Sequence, residues 1–261
     1  MNSIIEHYSE YDEEGRLDRD NAHRMEFLTT IHFLNKLLQS GSSILDVGAG
    51  TGRYSLHFAS KGFQVTSVEL VPKNVEMIKI KLRNQKISNV AVYNANALDL
   101  SIFPDSSFDN VLCMGPVYHL KEEAEKMQCL RECTRLLKPG GILAVAYINK
   151  YAAYLLEAIR DKESPDMGLL DNVIKTGFNC YNENSCFYFT TPDEVESLVH
   201  CSNIEKVTHI GVDGIGYMLS GTLNQMKNED FNRWLNYHLA TCQTPSLLGY
   251  SLHGLYVGRK L

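Results

Sequence analysis

The chemistry-bearing residues are densest in Ser43-Ile44-Leu45-Asp46-Val47-Gly48-Ala49-Gly50-Thr51-Gly52. An apolar run, Ile44 to Val47, ends in three alternating glycines, and Arg53 to Lys61 then takes helical spacing. A strand, a tight turn and a helix bring backbone N–H groups against a ligand, and glycine there allows φ > 0 and close approach. Two ligand classes compete for such a turn. A dinucleotide requires G-x-G-x-x-G, and its third glycine position is occupied by Arg53. Asp46, two residues before the first glycine, also suits a positively charged ligand better than a pyrophosphate.

S-adenosylmethionine (SAM) is such a ligand, with a sulfonium, an ammonium and no phosphate. The spacing Asp46-x-Gly48-x-Gly50-x-Gly52 resembles the first motif of the class I SAM-dependent methyltransferases. Gln64 to Glu69 reads as a second strand, and its terminal acid falls 19 residues after Gly50. A carboxylate at that strand end can accept both hydroxyls of a ribose. Leu70 follows it, and Pro72 opens a helix at its first turn. Asn89 to Asn94 is a third strand, followed by Ala95-Asn96-Ala97. In the family the corresponding loop often reads Gly-Asp-Ala, whose acid accepts from the adenine amino group. Asn96 and Ala97 hold those places here, and an Asn carbonyl can accept the same bond without charge.

Phe108 to Met114 is a fourth strand, continued by Gly115-Pro116-Val117-Tyr118-His119-Leu120. Lys121 to Leu137 is an amphipathic helix ended by Lys138-Pro139-Gly140-Gly141, and Ile142 to Ile148 is a fifth strand. The likeness to the small-molecule branch of that family covers about residues 40 to 150. It implies SAM as cofactor, S-adenosylhomocysteine as product, and in-line methyl transfer to a small molecule at O, N, S or C. It places Asp46, Gly48, Ala49, Gly50, Gly52, Glu69, Leu70, Asn96, Ala97, Met114 and Gly115 around the cofactor. Tyr118 and His119 fall where acceptors bind in this fold. His119 is the natural base near neutral pH, or else it orders its loop. Ahead of the core, Tyr8, Tyr11 and Arg16 crowd together; Arg16 is expected to pair the SAM carboxylate, with the tyrosines against acceptor or cofactor. The catalytic set is therefore Tyr118 and His119, and Tyr11 and Arg16 join the cofactor set.

Alternating strands and helices require a doubly wound α/β fold with a mostly parallel sheet and helices on both faces. The resemblance adds seven strands, the last antiparallel, matching Ser251 to Lys260. Asp18 to Gln39 has helical periodicity and stops at Gly41. Tyr151 to Lys162 is a further helix, Ser164 to Cys186 a loop or cap, and Thr191 the N-cap of another helix with Pro192 at its first position. Ile204 to Val212 is a sixth strand, and Glu229 to Thr241 a helix. The expected plan is one domain over 1–261: N-terminal cap helices at 1–40, a SAM-binding core at 41–150, and cap insertions with the last strands at 151–261. Tyr151, Tyr154, Phe178, Tyr181, Phe187, Tyr188, Trp234 and Tyr237 are the aromatics available to line an acceptor pocket.

With 261 residues, 44% hydrophobic and 21% charged, the chain has ordinary globular composition. A net charge of −6 counts against a broad nucleic-acid face, and hence against the alternative of an RNA-modifying methyltransferase. A non-catalytic SAM-binding regulator is the other alternative. Seven cysteines without C-x-x-C spacing suit a reducing cytoplasm. Cys129 and Cys133, spaced i,i+4, could share a metal, but buried thiols are the ordinary reading and no metal is expected. The first residues show neither a basic n-region nor an apolar h-region, and no run approaches the roughly 18 apolar residues of a membrane span. The expectation is a soluble cytoplasmic protein; the oligomeric state and the acceptor are not written in the sequence.

Overall fold

The computed structural model describes residues 2–160, 166–178, 185–200 and 203–261. Its centre is a sheet of β1 (Ser43–Val47), β2 (Gln64–Glu69), β3 (Val90–Asn94), β4 (Phe108–Cys113), β5 (Leu137–Ile148), β6 (Ile204–Gly211) and β7 (His253–Lys260). The strand order is β3-β2-β1-β4-β5-β7-β6. The pairs from β3 to β5 are parallel, and β7 runs antiparallel to both β5 and β6. The doubly wound sheet with an antiparallel last strand is therefore present as expected. Its order reverses between β1 and β4, which opens a crevice at the carboxyl ends of those strands.

Alternation along β1 sends side chains to both faces. Leu45 and Val47 join a core with Cys129 and Leu130 of α5 (Glu123–Leu136). Ile44 joins a second core with Leu34 of α2 (Asn21–Leu37) and Phe58 of α3 (Arg53–Ser60). On the β2–β3 side, α4 (Pro72–Gln85) packs Ile78 and Leu82 against Ala49. These two covered faces fix the strand ends that carry the site.

Several elements differ from the sequence expectation. Within the cap expected to be helical at 1–40, residues 2–10 form α1 (Asn2–Glu10), a helix whose bounds the sequence does not mark, and Arg16–Asp18 a single 3-10 turn. The following helix starts only at Asn21, because Asp20 caps it by accepting the His23 N–H at 3.0 Å. β5 begins at Leu137, earlier than Ile142, since Leu137 already pairs with Phe108 of β4 and the register shifts across the Pro-Gly-Gly segment before Ile142 pairs with Asn110. α6 (Lys150–Arg160) is present, but the expected loop from Ser164 contains α7 (Met167–Thr176). Asp166 accepts from the Gly168 and Leu169 N–H groups, and Gly177 ends the helix at φ +71°. Residues 179–184, within that same expectation, lie outside the described residues. α8 (Pro192–His200) starts with a reciprocal cap: Thr191 Oγ1 accepts the Glu194 N–H at 3.1 Å, and Glu194 accepts the Thr191 N–H at 2.8 Å. The chain closes through α9 (Ser220–Leu223), α10 (Asn228–Thr241) and α11 (Pro245–Leu248). No helix among the described residues is long and apolar enough to cross a membrane.

Candidate active site

Between β1 and α3 the glycine turn folds over the end of β2. The N–H groups of Gly48 and Ala49 both donate to the Val68 carbonyl, at 2.9 and 3.1 Å. Gly48 has φ +75°, and a Cβ there would lie 2.6 Å from Pro116 Cδ, so the position has room only for glycine. Asp46 is buried behind this turn. Its Oδ2 accepts from Ser55 Oγ at 2.6 Å, while Oδ1 has no hydrogen-bond partner among the described residues. Burial pushes its carboxyl up to about 6.

Glu69 closes the turn from below. Its Oε2 accepts the Gly50 N–H and its Oε1 the Val71 N–H, both at 2.8 Å. Burial raises the carboxyl to about 7 against the pull of those two bonds and of a third from the Asn74 side chain. Asn94 Nδ2 donates to the Glu69 and Leu70 carbonyls at 2.8 and 2.9 Å, which ties the β3 end to the β2 end. Asn96 Oδ1 accepts the Leu98 N–H at 3.1 Å and so shapes its own loop.

Across the crevice, Tyr118 Oη donates to the Met114 carbonyl at 2.8 Å. His119 is gripped at both ring nitrogens. Nδ1 lies 3.0 Å from the Cys186 carbonyl, which can only accept, so the proton sits on Nδ1. Nε2 then accepts from Tyr8 Oη, also at 3.0 Å. Burial lowers His119 to about 4, so the ring is neutral near pH 7.

The N-terminal segment covers the crevice. Arg16 is held by Glu26 on α2, NH1 and NH2 to its two oxygens at 2.7 and 3.1 Å, and by Glu13 through Nε at 3.0 Å. Burial alone would raise the Glu26 carboxyl, but the Arg16 guanidinium beside it, with His253, holds it at about 2. His253 sits 3.6 Å from Glu26 and 2.6 Å from Asp213, and these acids raise it despite burial. Lys73 donates to the Ser9 carbonyl at 2.7 Å, and Lys81 pairs with Glu14, so α4 also holds the cover.

Together these elements enclose about 1040 Å³, part of it open to solvent. The wall contains Gly48, Ala49, Gly50, Glu69, Leu70, Asn96, Ala97, Met114, Gly115, Tyr118, His119 and Arg16, all anticipated from sequence. Three anticipated residues stand off it. Asp46 lies behind the turn, Gly52 caps α3 with φ +86°, and Tyr11 stacks on His7 while its hydroxyl meets Arg19 at 3.3 Å. Glu13, Tyr54 and Asn74 reach the wall without having been singled out. Asn74, two residues after the helix-opening Pro72, had a positional signal; Glu13 and Tyr54 arrive by tertiary packing. None of the described late aromatics lines the cavity: Phe187 packs on His119 and His7, Trp234 joins a core with Met25 and Phe231, and Tyr151 and Tyr237 are exposed. Tyr181 lies outside the described residues. Arg53, the residue in place of a third dinucleotide glycine, lies over the Phe27 ring at 4.2 Å and pairs with Asp18 at 2.9 Å.

A ring of this kind suits a nucleoside whose charge is positive. The wall offers carboxylates, an unpartnered oxygen lies behind the turn at Asp46, and the two guanidiniums on the wall are paired, Arg16 with Glu13 and Glu26 and Arg53 with Asp18. Residues 45–145 match the family model described as a methyltransferase domain. The ubiquinone biosynthesis O-methyltransferase of Xanthomonas euvesicatoria pv. vesicatoria (strain 85-10) is 33% identical over 141 residues, 53% of this chain and 54% of that protein. The chain thus spans about half the length of the curated relatives it matches. Among solved structures, a SAM-dependent methyltransferase from Methanosarcina mazei superposes with a TM-score of 0.60 at 20% identity, over 88% of this chain and 97% of that one. The geranyl diphosphate C-methyltransferase of Streptomyces coelicolor A3(2), solved with Mg2+, geranyl diphosphate and S-adenosyl-L-homocysteine, gives 0.60 at 16% identity, over 92% and 82%.

Proposed function

We propose, from the premise that residues 45–145 are a methyltransferase domain within the class I SAM-dependent methyltransferase fold, that this chain methylates a hydroxyl of a small-molecule acceptor. The observation that carries this is the cavity itself. Glu69, the Gly48–Gly50 turn, Tyr8, Tyr118 and His119 line one cavity, with Tyr118 Oη and the Gly48 carbonyl both close against Gly115. The choice of oxygen over N, S or C leans on the O-methyltransferase relatives.

When bound, SAM supplies a methyl group already activated by its sulfonium. Glu69 would take the ribose hydroxyls, Asn96 and Ala97 the adenine edge, and Asp46 would offset positive charge through its free oxygen. Arg16, although shared by Glu13 and Glu26, would be the guanidinium for a carboxylate; Arg53, also on the wall, is paired with Asp18 and stacked on Phe27. The chain's task at the acceptor end is to align a nucleophile and exclude water. His119 reaches an acceptor proton only through Tyr8 or after displacing it. The reading extends to one domain, with 1–40 as cover, 41–150 as cofactor core and 151–261 as insertions and closing strands, and to a cytoplasmic setting, which the five unbonded described cysteines suit.

Calorimetric titration with SAM, S-adenosylhomocysteine and NAD, followed by turnover against catechols and other hydroxylated metabolites, tests the proposal. Binding of both adenosyl compounds and methylation of a hydroxyl is the expected result. Binding of NAD alone would overturn the cofactor assignment. Tight SAM binding without turnover of any acceptor would leave a SAM-binding regulator.

A further inference from the structure

Cys113 closes β4, and Cys129 and Cys133 lie one turn apart on the inner face of α5. All three side chains are fully buried. Their sulfurs converge within 4.8 Å of one another, with Cys113 and Cys129 Sγ 3.8 Å apart. Burial of one thiol is ordinary packing. Convergence of three sulfurs from two elements is what a shared ligand requires.

We propose that Cys113, Cys129 and Cys133 form a binding site for a trivalent thiophilic metalloid of the arsenite class. Three sulfurs about 2.3 Å from one centre are at most about 4.0 Å apart in a plane and closer in a pyramid, so Cys113 and Cys129 already stand near a shared-ligand spacing and the wider separations, up to 4.8 Å, must close by rotamer shifts on binding. Softness alone would also admit zinc or copper(I). Charge and coordination decide between them. Three thiolates around a divalent ion leave a net negative charge among Leu45, Val47, Leu130 and Leu136, where an uncompensated charge is costly. Structural zinc further takes four ligands, and the cluster among the described residues offers three. Arsenous acid avoids both difficulties. In As(OH)3 + 3 RSH → As(SR)3 + 3 H2O, three S–H and three As–O bonds break and three As–S bonds form. The thiol protons leave in water, arsenic stays trivalent, and the product is neutral. The uncharged hydroxide also enters a dry core more easily than a metal cation does, through local opening of α5. Cys113 immediately precedes Met114 and Gly115 of the cavity wall, so occupancy would pin that wall to α5. The site is independent of the methyl-transfer reading.

The test uses the full-length reduced chain with sodium arsenite, incubated natively and also refolded from denaturant in its presence. Native mass spectrometry should show one arsenic per chain with three protons displaced, and X-ray absorption three sulfur neighbours. After excess arsenite is removed, alkylation under brief denaturation should spare Cys113, Cys129 and Cys133; this readout needs no variant. Cys129→Ala and Cys133→Val should each weaken retention at least about tenfold, since even outer-shell changes cost that much at such sites. Replacing Cys180, Cys186, Cys201 and Cys242 with alanine should leave it intact. No retained arsenic after refolding, protection of other cysteines, or only two sulfur neighbours would each overturn the proposal.

Discussion

Glu69 spends both of its oxygens on backbone N–H groups and still faces the cavity, so its ionisation is finely placed. Burial raises it to about 7, above its ordinary 4.5. Between those values the folded chain holds a proton that the unfolded chain has lost, so stability falls as pH rises through the window. Ribose hydroxyls donate, and they favour the carboxylate. Binding should therefore pull the pKa down and release a proton, and SAM affinity should rise from about pH 6 to about pH 8. Calorimetry in buffers of different ionisation enthalpy reads both effects, and Glu69→Gln should flatten the profile. Glu69→Ala should weaken SAM by about 1.5–3 kcal/mol, the range for hydrogen bonds to a charged group. Unchanged affinity would leave Glu69 as a clamp for the glycine turn only. Gly48 makes a second case at this scale. Gly48→Ala adds a Cβ against Pro116 on a backbone at φ +75°. The strain should cost about 1–3 kcal/mol in urea denaturation and displace the Pro116–Tyr118 wall, so SAM binding should weaken with it.

At the scale of elements, the cover is held by charges whose partners lie far apart in the chain. Arg16→Ala would strand Glu26 and Glu13, one of them against His253 and Asp213. Loss of one member of a buried pair should cost about 3–5 kcal/mol, and melting curves would show it. If Arg16 also takes the SAM carboxylate, affinity falls well beyond twofold; an affinity kept within about twofold would remove that role while the stability loss stands. Glu26→Gln separates the two, since it loosens the cover yet leaves the guanidinium on the wall. The same elements show what a sequence can and cannot carry. The strand–turn–helix at Ile44–Lys61 and the acid at Glu69 were legible because adjacent residues and a fixed spacing determine them. The seven-stranded sheet came from the family resemblance together with alternation along the chain. α1 falls within the expected cap helices at 1–40, but its bounds were not legible, because Ile4, Ile5 and Tyr8 make a stripe too short to stand out from a polar segment. α7 was hidden in an Asn- and Gly-rich stretch whose Asp166 and Gly177 are caps as well as loop residues. Tyr8 with His119, and Glu26 with His253, join residues 111 and 227 positions apart, and no periodicity marks such pairs.

For the whole molecule, the measurable consequence of a nucleoside site at the sheet's switch point is that ligand binding stabilises the fold. A ligand that binds the folded chain alone adds RT ln(1 + [L]/Kd), about 2.7 kcal/mol at a hundredfold excess over Kd. A chain of 261 residues gains roughly 2–4 °C in melting temperature per kcal/mol, so saturating SAM should raise it by about 5–10 °C. The shift should be reproduced by S-adenosylhomocysteine, which keeps the ribose and adenine contacts. NAD should give none: its pyrophosphate would meet Glu69 and the Asp46-backed turn, and Arg53, already stacked on Phe27, is not a third glycine. RNA should give none either at about 0.15 M salt, where a chain of net charge −6 lacks the phosphate contacts on which such binding depends. Scanning calorimetry with the four ligands at matched concentration decides the matter. A shift from NAD that equals the shift from SAM would mean that the cavity reads adenosine alone. The carboxylates proposed to distinguish a sulfonium from a phosphate would then have to be assigned to folding.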